Sequence, residues 1–529
     1  MARVVPAAPG KGKHALPTPR AGRPGVPVAR TELPPGRLPF YCARKPEVMP
    51  ATALLTDLYQ LTMAYGYWKT GREALESVFH LSFRKHPFHG GFTVAAGLAD
   101  AIDYLRHLRF TPDDLAYLAT LTGQNDRPLF EPDFLDHLGQ LRFSCDVAAV
   151  PEGTVVFPHE PLLRIRGPIL QAQICETALL NLLNFQTLIA TKAARVCLAA
   201  RGEPVLEFGL RRAQGVDGAV TASRAAYIGG CAATSNVLAG RIHGIPVKGT
   251  HAHSWVMSFD TELDAFEAYA EALPHNCVFL VDTYDTLNGV RAAIQVGQSL
   301  RARGHRMAGI RLDSGDLAWL SVEARRLLDD AGFADAAIVA SNDLDEHLID
   351  SLKHQGAKIS VWGVGTKLVT AYDQPALGGV YKLSAIQRPD GTWEPKVKLS
   401  EQAVKVSTPG QLQVRRFHSD TNFLADGIYD LERGTPPDFT LVDPLDPTRR
   451  RVFAAGAPFE DLLVPIFERG EQVYTPPPLA DIRARAQAQL ARCHDGLKRL
   501  VNPHQYPVGL ELGLHDLKTN LILRARGAA

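Results

Sequence analysis

Between Pro204 and Tyr372 the chain repeats one pattern: a short apolar run, a polar tip, then a longer stretch ending before the next apolar run. The candidate strands are Val205–Phe208, Pro246–Thr250, Cys277–Val281, Met307–Leu312, Ala337–Ala340 and Ile359–Val364. Several of the stretches between them are amphipathic. From Leu317 to Ala331, the residues Leu317, Leu320, Ala324, Leu327 and Ala331 recur on one helical stripe. Asp343-x-x-Glu346 reads as a capping box and Gly356 as a helix stop. Strands alternating with helices predict a parallel sheet, and closing it into an α/β barrel is the most economical arrangement.

The flanking sequence predicts more than a barrel, since 529 residues exceed what one core supports. Leu54, Leu58, Leu61 and Met63 have helical spacing from Leu54 to Ala64, with Thr56 or Asp57 as cap. Val147 to Pro168 alternates apolar runs with Pro-Glu-Gly and Pro-His-Glu-Pro turns, a β-hairpin pattern, and Glu176 to Leu198 follows as a long buried helix. After Gly379 come short strands and a final amphipathic helix near Leu479–Leu497, expected to pack back on the N-terminal region. The division predicted is an arm at 1–45, an α+β domain at 46–165, the barrel at 166–380 and C-terminal strands and helix at 381–529.

Residues 1 to 30 hold six prolines, four glycines and six Lys or Arg with no acid, a composition expected to stay disordered. An organelle address also suits this arm, although the prolines break the amphipathic helix that such a signal needs. With 57 Lys and Arg against 56 Asp and Glu, no whole-molecule attraction to nucleic acid or anionic membrane is expected, and anion binding must be local. Seven scattered cysteines without a C-x-x-C pair fit a reduced cytosol. No apolar run reaches membrane-spanning length, and no secretory signal is legible, so a cytoplasmic protein is expected.

Chemistry concentrates at the exits of the apolar runs, where a parallel barrel builds its active site. Gly209-Leu210-Arg211-Arg212 follows the first run, His251-Ala252-His253-Ser254 the second and Asp282-Thr283-Tyr284-Asp285 the third. Asp313-Ser314-Gly315-Asp316 and Ser341-Asn342-Asp343 come next, then Gly363-Val364-Gly365-Thr366-Lys367, whose backbone N–H groups suit a phosphate. Singly, these are solvated loops or helix caps; together they suit displacement at a sugar anomeric carbon with pyrophosphate leaving. A pyridine nitrogen as nucleophile brings its own lone pair and needs no general base.

The segments Thr56 to Met63, Phe83-Arg84-Lys85 with Gly90-Gly91-Phe92, Glu207 to Arg212, Ser235 to Gly240, Gly249 to Ser254, Arg311 to Asp316 and Gly363 to Thr366 together resemble nicotinate phosphoribosyltransferases. The resemblance runs from about residue 52 to the Asn502-Pro503-His504-x-Tyr506-Pro507 stretch. It implies an atypical, type II phosphoribosyltransferase-like α/β barrel with an additional α+β domain from N- and C-terminal segments, and a homodimer with shared active sites. The implied reaction makes nicotinate mononucleotide and pyrophosphate from nicotinate and phosphoribosyl pyrophosphate in NAD salvage, with Mg²⁺ as cofactor and ATP as co-substrate.

Carried onto this chain, the resemblance makes His253 the transient phosphohistidine and leaves the role of His251 open. It also implies that Tyr59 and Phe208 stack on the pyridine ring, that Arg311 clamps the nicotinate, and that Arg211 and Arg84 are phosphate cations. By the same resemblance Asp282 and Asp313 are expected to hold ribose hydroxyls or hydrated Mg²⁺, and Gly363, Gly365, Thr366 and Asn342 to bind phosphate. Ser235 lies at the substrate pocket, where nicotinamide-using relatives carry an acid near the position of Ser235-Asn236; both are neutral here, which favours nicotinate.

Four alternatives stand beside this assignment: a nicotinamide or a quinolinate phosphoribosyltransferase, a barrel hydrolase with Zn²⁺ on His251 and His253, and a silent paralogue serving as a scaffold. The hydrolase leaves Arg211, Arg311 and the Gly-rich turn without a task. A scaffold is expected to have lost Arg311, Asp313 or His253, and all three are present.

Overall fold

The computed structural model describes residues 52–124, 126–402 and 405–527. The arm predicted at 1–45 lies outside these residues. The alternating region supplies a six-stranded sheet: β1 (Val205–Glu207), β2 (Ala233–Thr234), β3 (Val278–Leu280), β4 (Gly309–Leu312), β5 (Ala337–Ala340) and β6 (Val361–Val364). All pairings are parallel, in the order β2-β1-β6-β5-β4-β3, so the last strand returns to the first. Val339, Ile310 and Val364, buried on this sheet, are the β-branched residues its pleat favours.

The expected strand at Pro246–Thr250 does not form. Pro246 has no N–H to give, residues 246–249 are exposed, and only an isolated bridge joins Thr234 to Val247. The strand that the spacing misses is β2, too short to leave a periodic trace. Segment 246–251 nevertheless spans the space between β2 and β3: Thr234 N donates to Pro246 O (3.0 Å), Lys248 N to Thr234 O (3.0 Å), and Leu280 N to His251 Nε2 (3.2 Å).

Helices follow their caps more closely than their stripes. The helix Leu317–Asp330 is capped by Asp316, and its buried stripe runs Leu317, Leu320, Ala324, Leu328, so Leu328 takes the place expected for Leu327. Asp343 does not cap the next helix, Glu346–His354; Asp345 does, accepting from Leu348 N, while Glu346 turns inward to Lys192 and Arg195. The first helix begins at Leu58, four residues later than its apolar spacing suggests, because Asp57 and Gln60 form the capping box there.

The predicted hairpin is present as Asp146–Ala149 against Pro161–Pro168, and the long helix as Glu176–Ala199. The hairpin belongs to a seven-stranded antiparallel sheet that interleaves early strands with Gly379–Gln387, Trp393–Pro395, Val464–Glu468 and Glu471–Gln472. The C-terminal part thus packs back on the N-terminal part through hydrogen-bonded strands. Six further strands, from Leu412–His418 to Val508–Glu511, form a third sheet. Helix Leu479–Arg492 stops short of Leu497 and is not the last, since Leu512–Ala525 follows. Among the described residues no helix is long and apolar enough to cross a membrane.

Candidate active site

The polar residues that close β1, β3, β4 and β5 lie along one edge of the parallel sheet, where each backbone leaves its ladder. Arg311, inside β4, is the most constrained of them. Its Nε donates to Ser341 Oγ (2.9 Å), one Nη to Thr250 Oγ1 (3.2 Å) and the other to Asp313 Oδ1 (3.0 Å). A guanidinium carries five N–H groups, so two remain to meet a ligand. The Phe208 ring lies 5.7 Å from the Arg311 guanidinium carbon, within cation–π range.

Phe208 directly follows β1 and is held by its own N–H donating to Val364 O (2.8 Å). Its ring occupies space that only glycine leaves open: a Cβ on Gly363 would stand 2.8 Å from ring carbons, and one on Gly365 would stand 3.0 Å from the Phe208 carbonyl oxygen. Gly365 then caps the short helix Thr366–Val369, placing Thr366 in its first turn, where N–H groups point out of the helix. Lys367 in the same turn reaches Asp345 Oδ2 at 2.6 Å, a bond that raises the ammonium pKa.

Asp282 and Asp313 stand together. Asp282 Oδ2 accepts from Asp313 N (2.9 Å) and Ser314 Oγ (2.6 Å). Its other oxygen, Oδ1, is buried and unpartnered. Asp313 Oδ1 accepts from Arg311 and from Ser341 Oγ. His253 opens the helix His253–Val256 with Nε2 at 4.0 Å from Asp282 Oδ1 and 3.8 Å from Asp313 Oδ2. Its Nδ1 lies 3.2 Å from Thr283 Oγ1, and at 40% side-chain exposure the ring is open to solvent. Glu262, close by, is raised to about 7 by burial and by the charges of Asp282 and Asp285.

His251 faces away from this group. Its Nε2 accepts the Leu280 N–H, its ring packs against Tyr269, and burial pushes its pKa down to about 4. It fastens the His253 loop to β3 as a neutral ring. Glu207 is a second residue whose part is legible only in the structure. Buried at the end of β1, its carboxylate accepts from Gly209 N, from Ser223 Oγ (2.8 Å) and from Thr234 Oγ1 (2.6 Å). Its carbonyl takes Ser235 N (2.9 Å), which fixes Ser235 beside β1. Asn236 caps the helix Val237–His243 and donates to Ser223. That Thr250 and Ser341 hold Arg311 is likewise shown only by the structure.

Arg211 lies in the exposed turn Leu210–Arg212 that follows Phe208. Asn342 is exposed with φ +92°, in the left-handed region, and Asp343 repeats this at φ +46°. Two residues are not brought to the cluster. Tyr59, 49% exposed, sits beside the first turn of helix Glu176–Ala199, where Thr177 bonds Asp57. Lys192, 15 residues further along that helix, touches Glu346; at 1.5 Å per residue this is about 22 Å away. Arg84 lines a separate cleft with His159, Lys382 and Lys405. Burial lowers Lys518 beside it to about 8, and burial with the Lys518 and Arg84 charges lowers His159 to about 4.

Three successive stretches of the chain match known families. Residues 54–184 match the N-terminal domain of nicotinate phosphoribosyltransferase, 204–405 the nicotinate phosphoribosyltransferase family and 412–518 its C-terminal domain. The nicotinate phosphoribosyltransferase of Bacillus subtilis strain 168 is 46% identical over 463 residues, covering 87% of this chain and 92% of that protein. The chain belongs to the nicotinate phosphoribosyltransferase family. The crystal structure of human nicotinic acid phosphoribosyltransferase superposes with a TM-score of 0.77 at 34% identity, covering 88% of this chain and 99% of that one. A nicotinate-nucleotide pyrophosphorylase from Pyrococcus furiosus shares the fold, with a TM-score of 0.61 at 23% identity over 86% of this chain and 99% of that one. In this nicotinate phosphoribosyltransferase fold His253 faces the carboxylates, and His251 is occupied by the Leu280 amide. That orientation also removes the zinc pair that a hydrolase needs, and among the described residues no cluster of three or more His, Cys, Asp or Glu is arranged to hold a metal.

Proposed function

We propose that this enzyme joins nicotinate to phosphoribosyl pyrophosphate, giving nicotinate mononucleotide and pyrophosphate for NAD salvage, with ATP hydrolysis driving the reaction through phosphorylation of His253. The observation that carries this is Arg311, held on three sides beneath Phe208 with N–H groups left over for a carboxylate. Phe208 gives the pyridine ring one face, and the partner subunit's Tyr59 gives the other. The ring nitrogen attacks the anomeric carbon as the bond to pyrophosphate breaks, and no side chain has to remove a proton.

Nicotinate is favoured over nicotinamide because Ser235 and Asn236 are both neutral, and the buried acid Glu207 is engaged by Gly209 N, Ser223 Oγ and Thr234 Oγ1. Asp282, with its unpartnered buried Oδ1, and Asp313 fit a ribose hydroxyl or hydrated Mg²⁺. Bound there, Mg²⁺ would offset the charge of the departing pyrophosphate. Arg211, the turn Gly363-Val364-Gly365-Thr366 and Asn342 meet the phosphates. The basic cleft around Arg84 suits pyrophosphate or ATP phosphates. Tyr59, which lies off the cluster in its own chain, is read as serving the partner subunit's site in a homodimer.

We read the six-stranded sheet, with segment 246–251 spanning β2 to β3, as the atypical barrel of type II phosphoribosyltransferases. The described residues of the predicted segments 46–165 and 381–529 are read as the domain around it, and residues 166–380 as the part that carries the site.

The test is incubation of purified protein with phosphoribosyl pyrophosphate, Mg²⁺ and, in parallel, nicotinate, nicotinamide or quinolinate, with and without ATP. Mononucleotide formed from nicotinate and accelerated by ATP is expected. Faster turnover of nicotinamide or quinolinate would replace the substrate assignment.

A further inference from the structure

Cys197 and Cys231 are far apart in the chain and meet in the fold. Cys197 lies near the end of helix Glu176–Ala199 and is partly exposed, whereas Cys231, just after helix Val216–Ile228, is buried. Cys197 Sγ lies against the Gly230 turn that immediately precedes Cys231, and the two thiols interact. Both residues carry free thiols.

The backbone around Cys231 is built to hold this contact. Gly230 adopts φ +119°, a conformation open to glycine, and a Cβ there would stand 3.3 Å from Cys197 Sγ. Arg483, from helix Leu479–Arg492, grips the same turn: Nε donates to Cys231 O (3.2 Å) and an Nη to Gly230 O (2.9 Å). Cys231 N donates to Ala226 O (3.1 Å), and Ala232 N to Val205 O (2.8 Å). Two thiols are therefore held side by side between three elements, one partly open to solvent and the other buried behind it. The contact with Cys197 and burial raise the Cys231 thiol well above its usual pKa, which Arg483 only partly opposes, so Cys231 stays a neutral thiol. No catalytic step proposed above uses either sulfur.

We propose that Cys197 and Cys231 form a reversible redox pair, which hydrogen peroxide closes into an intramolecular disulfide. The more exposed Cys197 sulfur attacks the peroxide O–O bond, becoming a sulfenic acid and releasing one water. The Cys231 sulfur then attacks Cys197 Sγ, the S–O bond breaks, and the oxygen leaves as a second water carrying the Cys231 proton. Two thiols give up two electrons, and one peroxide takes them. The new bond ties the long helix to the segment that leads into β2 and Ser235. A dithiol reductant reverses it.

The full-length protein, fully reduced and then exposed to hydrogen peroxide, is denatured, alkylated with N-ethylmaleimide and mapped by mass spectrometry. The expected result is loss of alkylation at Cys197 and Cys231 together, with a cross-linked peptide joining them that dithiothreitol abolishes. Cys145 and Cys175, both closed to solvent, are expected to remain alkylatable. Cys197→Ser and Cys231→Ser, each conservative in size, are expected to prevent the cross-link while circular dichroism stays unchanged. Full alkylation of both cysteines after peroxide, Cys197 trapped only as sulfinic acid, or a cross-link to a different cysteine would each overturn the proposal.

Discussion

Arg311 shows what one side chain has to satisfy before it can bind a substrate. Ser341, Thr250 and Asp313 hold it in a single orientation, so a ligand carboxylate meets a guanidinium that loses little freedom on binding. Arg311→Ala is expected to weaken nicotinate binding by about 1.5–3 kcal/mol, roughly 10- to 150-fold in Kd, measured by calorimetry. His253→Ala is expected to abolish stimulation by ATP while slow ATP-independent synthesis persists, because the imidazole couples energy and takes no part in the displacement. Equal stimulation in that variant would move the phosphoryl acceptor elsewhere. Arg311, Asp313 and His253 are legible in the sequence because each stands at the end of an apolar run. The holding parts played by Glu207, Thr250 and Ser341 are not, although they too stand at segment ends, since those parts depend on partners brought close by folding, such as Thr234 for Glu207.

At the scale of elements, each parallel strand of the site needs space left by its neighbours. Gly363 in β6 faces Phe208 after β1, and a methyl group there would press on the ring from 2.8 Å. Gly363→Ala is expected to displace Phe208 at a cost of about 1–3 kcal/mol and to raise the KM for nicotinate at least severalfold, with far-ultraviolet circular dichroism unchanged. Five of the six candidate segments become strands because short, mostly apolar stretches suit a strand buried on both faces. The run at Pro246–Thr250 fails because Pro246 cannot donate and its neighbours stay in solvent. Helix starts are written in single capping residues, which is why Asp57 and Asp345 correct boundaries that apolar spacing alone misplaces.

The whole molecule carries several buried neutral histidines. Burial lowers His86 to about 3, His159 and His251 to about 4, and His80 well below its usual value. In the unfolded chain these rings titrate near 6.5. The unfolded state therefore binds more protons between about pH 6.5 and 4, and stability present above that window is lost as pH falls through it. Thermal denaturation is expected to show Tm dropping by several degrees from pH 7 to pH 5, and a Tm that is flat or rises would contradict these assignments. The interleaving of strands from both ends of the chain in one antiparallel sheet has no trace in composition, because pairing partners as distant as Ser77 and Ile386 share no local signal.

A shared site has its own signature at this scale. Tyr59→Ala and His253→Ala proteins, dissociated and mixed, are expected to regain roughly a quarter of the ATP-stimulated rate by statistical pairing. The most direct measurement is a crystal structure with nicotinate and phosphoribosyl pyrophosphate bound. The pyridine ring should lie on Phe208 with its carboxylate within hydrogen-bonding distance of Arg311, and the phosphates at the Gly363 to Thr366 turn and Arg211. Ligands seated elsewhere, with Arg311 still engaged only by Ser341, Thr250 and Asp313, would contradict the assignment of this sheet edge as the transferase site.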